Sequence, residues 1–383
     1  MTSALIPLRE RATWISYFQI GVFGWFLYGF GPCMSLLSDE QATSPLVMSL
    51  HMAAFSAGSL PPGLYISRIT ARFGRGVALR WAGFGMAAFI LILAAGPSVY
   101  ITLPAAFILG ICATVLMTMN MSFLDQIHHH AAPAAISEGN SFAALGGLIS
   151  PLVIGFLVNQ QLGWRAGLII AAVLLLLIEL FRGPITIFDF SRTQAHEQGS
   201  DHKLPANYWW AWGLLITSAG AEICLMLWST DLLRERAGLG DAAAVASLST
   251  LTLGLLIGRL VTGKLAQKIS AEKLLKVAFL LPILIFGVLW YSTSPTVMLL
   301  ALFGIGLSIA AHWPLGIGRA VRAGGNKPDL AAARTAFATG GAGMVLPVLL
   351  GALAGTFGVH TAFLLVPVVL ICGLALLFYK PLN

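Results

Sequence analysis

Charge is what this sequence has least of. Only 10% of its 383 residues are Asp, Glu, Lys or Arg, against about 25% in ordinary soluble domains. With 58% hydrophobic residues, such a chain cannot keep its surface in water, so lipid must surround most of it. That excludes the two or three soluble domains its length would otherwise suggest. Acids are scarcer than bases: 15 Asp and Glu against 22 Lys and Arg, a net charge of +7. The bases sit in short segments between apolar runs, which argues against a nucleic-acid partner. The four cysteines, Cys33, Cys112, Cys224 and Cys372, are far apart and each lies in an apolar run. They exclude a disulfide framework and read as small core residues. No Walker-type P-loop is present, so ATP-driven transport is unsupported. H-E-x-x-H and G-x-S-x-G are also missing, and with them those catalytic constellations. His128-His129-His130 has no further ligand at fixed spacing. No enzyme activity, cofactor or metal is therefore expected. A cleavable signal peptide is not expected either: the first apolar run is too long and lacks a small-residue cleavage site.

What is present is a series of apolar runs long enough to cross a bilayer, which takes roughly 20 residues. Twelve are expected, at about 13–37, 44–67, 77–96, 99–124, 138–159, 166–184, 208–231, 242–263, 275–292, 297–319, 334–356 and 361–379. The fold class is therefore all-α and membrane-embedded. The sizeable polar stretch, 185–207, falls near the middle and reads as a cytoplasmic linker between six-helix halves at 1–184 and 208–383. If the spans alternate from a cytoplasmic N-terminus, 18 of the 22 Lys and Arg fall on the cytoplasmic side and 3 on the far side, with Arg259 inside a span. That asymmetry follows the positive-inside rule and puts both termini in the cytoplasm. A bacterial cytoplasmic (inner) membrane and a monomer are expected.

The halves repeat at an offset of 196 residues. Gly58, Arg68, Arg72 and Arg80 fall on Gly254, Lys264, Lys268 and Lys276. Gly147, Pro151 and Gly155 fall on Gly343, Pro347 and Gly351. A helix of the form G-x3-P-x3-G and a basic loop, both duplicated, indicate parallel repeats with a binding cavity between them near mid-membrane.

This pattern resembles the major facilitator superfamily along nearly the whole chain. The family's signature between spans 2 and 3, G-x3-D-R-x-G-R-[RK], is matched by Ser67, Ala71, Arg72, Gly74, Arg75 and Gly76, with the leading Gly and the Asp replaced. Gly263, Gln267 and Lys268 form the second-half counterpart, again without the Asp. Span 5 keeps part of the family's antiporter motif in Gly147, Ser150, Pro151 and Gly155; antiport is not inferred. A looser resemblance to the fucose–proton symporter branch rests on Gly220-Ala221-Glu222, Trp228, Asn120 and His312-Trp313-Pro314. That branch's carboxylates in spans 1 and 4 have no counterpart here, since 29–37 contains no acid and Leu116 stands at the span 4 position. The resemblance implies a secondary transporter of a small organic solute working by alternating access.

Ionisable groups inside spans cost about 2.5–3.5 kcal/mol and are functional candidates for that reason. Four stand out: His51, Glu222, Arg259 and His312. Glu222 can bind a polar substrate or carry a proton; equally, it can make a structural hydrogen bond. His312 can be a proton site or a neutral bundle residue. Arg259 can snorkel, pair with Glu222 or hold an anionic substrate group. Trp25, Tyr28 and Trp228 are candidate aromatic walls of the cavity, and Asn120 a candidate polar contact. Arg72, Arg75, Lys268 and Arg334, with Asp125 and Glu138 as their acids, are candidates for a cytoplasmic gate; the alternative is a solvated basic face. The partners expected are a small-molecule substrate, the lipid bilayer and, if Glu222 or His312 couples transport, protons. Efflux of amphiphilic compounds and a transport-inactive receptor in the same fold are the alternatives.

Overall fold

The computed structural model describes residues 9–183 and 204–379. Residues 185–203 of the expected linker lie outside the described residues. The helices are α1 (Arg11–Glu40), α2 (Pro45–Gly58), α3 (Leu60–Phe73), α4 (Arg75–Ala95), α5 (Val99–His128), α6 (Ala132–Asn159) and α7 (Trp164–Phe181). After the linker come α8 (Ala206–Ala237), α9 (Asp241–Leu265), α10 (Ala271–Tyr291), α11 (Pro295–Ile309), α12 (His312–Ala323), α13 (Pro328–Ala362) and α14 (Leu365–Tyr379). No strand occurs among the described residues. The helices form an all-α bundle of twelve crossings, because two spans are broken and one helix turns a corner.

Each interruption has a local cause. Span 2 divides into α2 and α3 at Ser59, where Pro61 and Pro62 have no N–H to return to the carbonyls four residues back. Ser59 turns its hydroxyl onto the Ser56 carbonyl instead, at 2.6 Å. Span 10 divides into α11 and α12 just before Pro314, which leaves the Ala310 carbonyl without its helical donor. At Gly358 the backbone takes φ 79°, ending span 11 and starting span 12 within α13. The segment expected as a basic loop is mostly helix. Arg68 and Arg72 lie on the last turns of α3, and the turn itself is Gly74 with φ 84°. The apolar run ends before the helix does, because arginine is a good helix former.

The halves pack through glycines. At the centre Gly31 on α1 sits against Met226 and Leu227 on α8; Gly31 and Leu227 are 196 residues apart, so spans 1 and 7 cross on the axis of the repeat. On one flank Gly155 of α6 abuts Ala242 and Ala246 of α9, and Ser249 donates to the Leu148 carbonyl at 2.8 Å. On the other, Gly351 and Gly343 of α13 abut Pro45, Ser49 and Ser56 of α2. The duplicated Gly155 and Gly351 are therefore positions where backbones of opposite halves meet. These contacts run from the outer end of the bundle, which carries the α1–α2 and α8–α9 turns, as far as Tyr28, Leu60 and Gly340. Toward the basic end, which carries the α3–α4 and α9–α10 turns, Pro62 is the one buried residue of α3. The halves are joined at the outer end and part toward the basic end.

Candidate functional site

Three ionisable or hydroxyl-bearing side chains converge where the halves begin to part. Tyr28 lies midway along α1, Glu222 midway along α8, and Arg259 in the basic-end half of α9. The Tyr28 hydroxyl and the Arg259 guanidinium lie close enough to interact, and Glu222 lies within electrostatic range of both. Tyr28 is buried; its ring is accommodated by Gly147 of α6, where a Cβ would collide with it. Glu222 and Arg259 are only half-buried. Among the described residues neither closes an ion pair within 4 Å. The site therefore holds one cation, one anion and a phenol, drawn from both halves and open toward the basic end. Balanced charge with several donors and acceptors suits an uncharged polar solute or a zwitterion. Arg259 extends toward Tyr28, so its stem does not snorkel away from the bundle interior.

Other candidates lie elsewhere. Trp25 donates from Nε1 to the Gly167 carbonyl at 3.0 Å, tying α1 to α7 inside the first half. Trp228 is 1% exposed in the core of the closed outer half. His51 is buried between α2 and α5, with Nε2 at 2.8 Å from the Thr102 hydroxyl and Nδ1 at 3.1 Å from the Val47 carbonyl. His312 opens α12, stacks on Phe279 with ring centroids 4.0 Å apart, and donates from Nε2 to the Ala278 carbonyl at 3.0 Å. That carbonyl belongs to α10, four residues before Pro282, which cannot supply the usual helical N–H. His312 thus satisfies a backbone group that would otherwise be orphaned inside the membrane. Neither of these contacts involves Tyr28, Glu222 or Arg259.

Asn120 belongs to a closed network near the basic end of the first half. Its Nδ2 donates to Gln19 Oε1 and to the Leu116 carbonyl, at 2.8 and 2.9 Å. Gln19 Nε2 donates to Glu179 at 2.7 Å, and Arg182 forks onto Glu179 at 2.7 and 2.8 Å. Arg80 approaches the same carboxylate at 3.9 Å. Gly83 leaves the room Glu179 occupies. Both Glu179 and Arg182 are 2% exposed. Sequence reasoning missed them because they sit at the end of an apolar run and look like boundary residues; Gly83, with no side chain, was a faint signal.

The gate candidates, expected to meet when the basic end is closed, make other contacts in this state. Glu138 is held by Arg9 at 2.7 and 3.2 Å, a contact that raises the Arg9 pKa above its ordinary value. Arg72 is exposed over the Phe73 ring, Arg75 donates to Ser122 at 3.3 Å, and Arg334 lies over Trp209. Asp125 and Lys268 are exposed. With the halves apart at this end, acids and bases of opposite halves are out of reach. The tie between the halves is at the other end, where sequence reasoning looked for none. Arg234 of α8 binds Asp39 of α1 at 2.8 Å and Asp241 of α9 at 2.6 Å, while Ser35 donates to Asp231 at 2.6 Å. Ser35 and Asp231 are equivalent in the repeat, 196 residues apart. Among the described residues no group of three or more His, Cys, Asp or Glu could hold a metal; His128 faces the Thr13 hydroxyl at 3.1 Å.

Comparison with known proteins agrees with this architecture. The model of the Major Facilitator Superfamily matches residues 13–327. The inner membrane transport protein YdiN of Escherichia coli K12 is 22% identical over 260 residues, 64% of this chain and 61% of that protein. A glucose/galactose transporter of Brucella abortus is 24% identical over 382 residues, covering 92% of this chain and 90% of the relative. The crystal structure of the nucleoside transporter NupG superposes with a TM-score of 0.78 at 12% identity, over 96% of this chain and 98% of that one.

Proposed function

This chain belongs to the Major Facilitator Superfamily, and from that premise we propose that it carries a small, uncharged polar solute through a site built on Tyr28, Glu222 and Arg259. Membership makes it an integral membrane transporter and not an enzyme. Its halves are 1–184 and 208–383, joined by a cytoplasmic linker, and they rock about the site to expose it to each side in turn. The basic end faces the cytoplasm of a bacterial inner membrane, so the described state is open inward. Balanced charge at the site favours a hydroxylated solute, and the glucose/galactose transporter relative supports a monosaccharide. The resemblance of Gly220-Ala221-Glu222 to the fucose–proton symporter branch supports the same class. Because one chain supplies the whole site, the working unit is a monomer.

The convergence of Tyr28, Glu222 and Arg259 from spans 1, 7 and 8 carries this reading. Glu222 is also the coupling group: a carboxylate in a cavity that opens to each side in turn can take up a proton on one side and release it on the other. In the outward-open state Arg72, Arg75, Lys268 and Arg334 meet Asp125 and Glu138 to close the basic end. D-galactose uptake into proteoliposomes, with and without an inward proton gradient, tests the coupling. The wild type responds to the gradient and Glu222→Gln does not; an equal response in both sinks the assignment.

A further inference from the structure

A cavity of about 610 Å³ opens on the lipid-facing surface of the first half, between α3, α4 and α5. It is separate from the Tyr28–Glu222–Arg259 site. Ile69, Phe73, Val77, Trp81, Ile111 and Val115 line it, and its surface is almost wholly apolar. The groove exists because span 2 breaks at Ser59 and α3 runs clear of the bundle beyond Pro62. Its volume lies within the range of about 300–1,000 Å³ that small-molecule sites occupy. Phe73 and Trp81 are 56% and 73% exposed along it.

One mouth of this groove is cationic. On α3 Arg72 follows Arg68 and Phe73 follows Ile69 by one turn, and Ile69 and Arg72 are three residues apart, so the basic row adjoins the apolar one. The Arg72 guanidinium lies over the Phe73 ring, 5.3 Å from its centroid, and so directly over a groove wall. Arg68 lies over Tyr65 one turn earlier, at 5.8 Å. Among the described residues neither arginine forms an ion pair. Ala71 sits beside Arg72, so the turn offers no acid of its own. Arg75, at the start of α4, is tied to Ser122 of α5 and carries a third positive charge at the same level. An apolar slot ending in unpaired guanidiniums matches a molecule with a hydrocarbon chain and an anionic phosphate head. We infer that this groove binds one anionic phospholipid, with an acyl chain against Phe73, Trp81 and Val115 and the phosphate on Arg68 and Arg72. The inference is independent of which solute is transported.

The test uses the full chain in detergent, titrated with equimolar phosphatidylglycerol and phosphatidylcholine, with bound lipid counted by native mass spectrometry. One phosphatidylglycerol is retained in preference to phosphatidylcholine. An arginine at an anionic lipid surface is worth about fivefold in binding. Arg72→Gln therefore loses about fivefold of the preference, and Arg68→Gln with Arg72→Gln about 25-fold. Val77→Trp, which fills the slot, loses retention of both lipids. Lys268→Gln, at the equivalent turn of the other half, leaves the lipid preference as in wild type. Equal retention of the two lipids, or full preference in the double arginine variant, overturns the inference. So does displacement by water-soluble glycerophosphoglycerol at equal concentration, which would assign the arginines to a free phosphate. A dimer that forms on delipidation and is lost in Trp81→Ala would assign the groove to a second copy and overturn it too.

Discussion

Replacing Arg234 should tilt the molecule toward the state open at the outer end. Arg234 gathers Asp39 from the first half and Asp241 from the second, and reaches Ser35 at 3.0 Å and Asp231 at 3.7 Å. Asp39 and Asp241 are 64% and 59% exposed at their side chains, so solvent screening limits each pair to about 0.5 kcal/mol. Asp231 and Asp241 share a half with Arg234, so what the joint itself loses is the Asp39 pair and the Ser35 contact, a hydrogen bond to a charged group. Without the guanidinium, Asp39 faces two acids across the joint between the halves. Together these changes cost the closed outer end about 1–2 kcal/mol, or about 5- to 30-fold in the ratio of the two states. The assay is a distance distribution between nitroxides at Gln160→Cys and Thr293→Cys, one in each half at the outer end. It is made in a chain whose four native cysteines are replaced. Arg234→Gln should add a long-distance population by that factor, and Arg234→Lys should restore part of the short one. An unchanged distribution in Arg234→Gln would mean that the clasp does not hold the halves together.

Three further outcomes follow from the packing. Gly155→Val puts a side chain into Ala242 and Ala246 across the joint, so the same nitroxide pair should move apart; a short distance equal to wild type contradicts the role given to the duplicated glycines. Glu179→Gln removes the carboxylate onto which buried Arg182 forks and should cost about 3–5 kcal/mol, read as a large fall in melting temperature; a loss under about 1 kcal/mol would show that other groups neutralise Arg182. His312→Leu orphans the Ala278 carbonyl and should cost about 1–3 kcal/mol. The cost should shrink sharply in a Pro282→Ala background, where residue 282 supplies the N–H itself; equal costs in the two backgrounds refute the pairing.

Much of the architecture was legible in the chain. Long apolar runs report spans directly, because a bilayer allows no other way to satisfy the backbone. The 196-residue offset marked Gly155 and Gly351 before their contacts were visible. The ends of helices were less legible. Arg68 and Arg72 looked like a loop because hydropathy stops where the bilayer does, not where hydrogen bonding does. Pro61-Pro62 and Pro314 were visible in the sequence, but whether a proline bends or divides a span depends on its neighbours. Within the candidate site, Glu222 and Arg259 were legible as polar, ionisable groups in apolar runs, and Tyr28 only as an aromatic. His312 and Asn120 gave the same signal for a different reason: each serves a structural partner, Ala278 and Gln19, that only the packing reveals. The Asp39–Arg234–Asp241 clasp was hidden because its members sit at span ends, where charge is ordinary.

The central claim is that solute binds between the halves at Glu222 and Arg259, and counterflow tests it most directly, since exchange needs binding and alternation but no gradient. Proteoliposomes preloaded with D-galactose should accumulate labelled D-galactose with wild type and with His312→Gln, and fail to do so with Glu222→Gln and Arg259→Gln. Counterflow at the wild-type rate in both of those variants would contradict the claim.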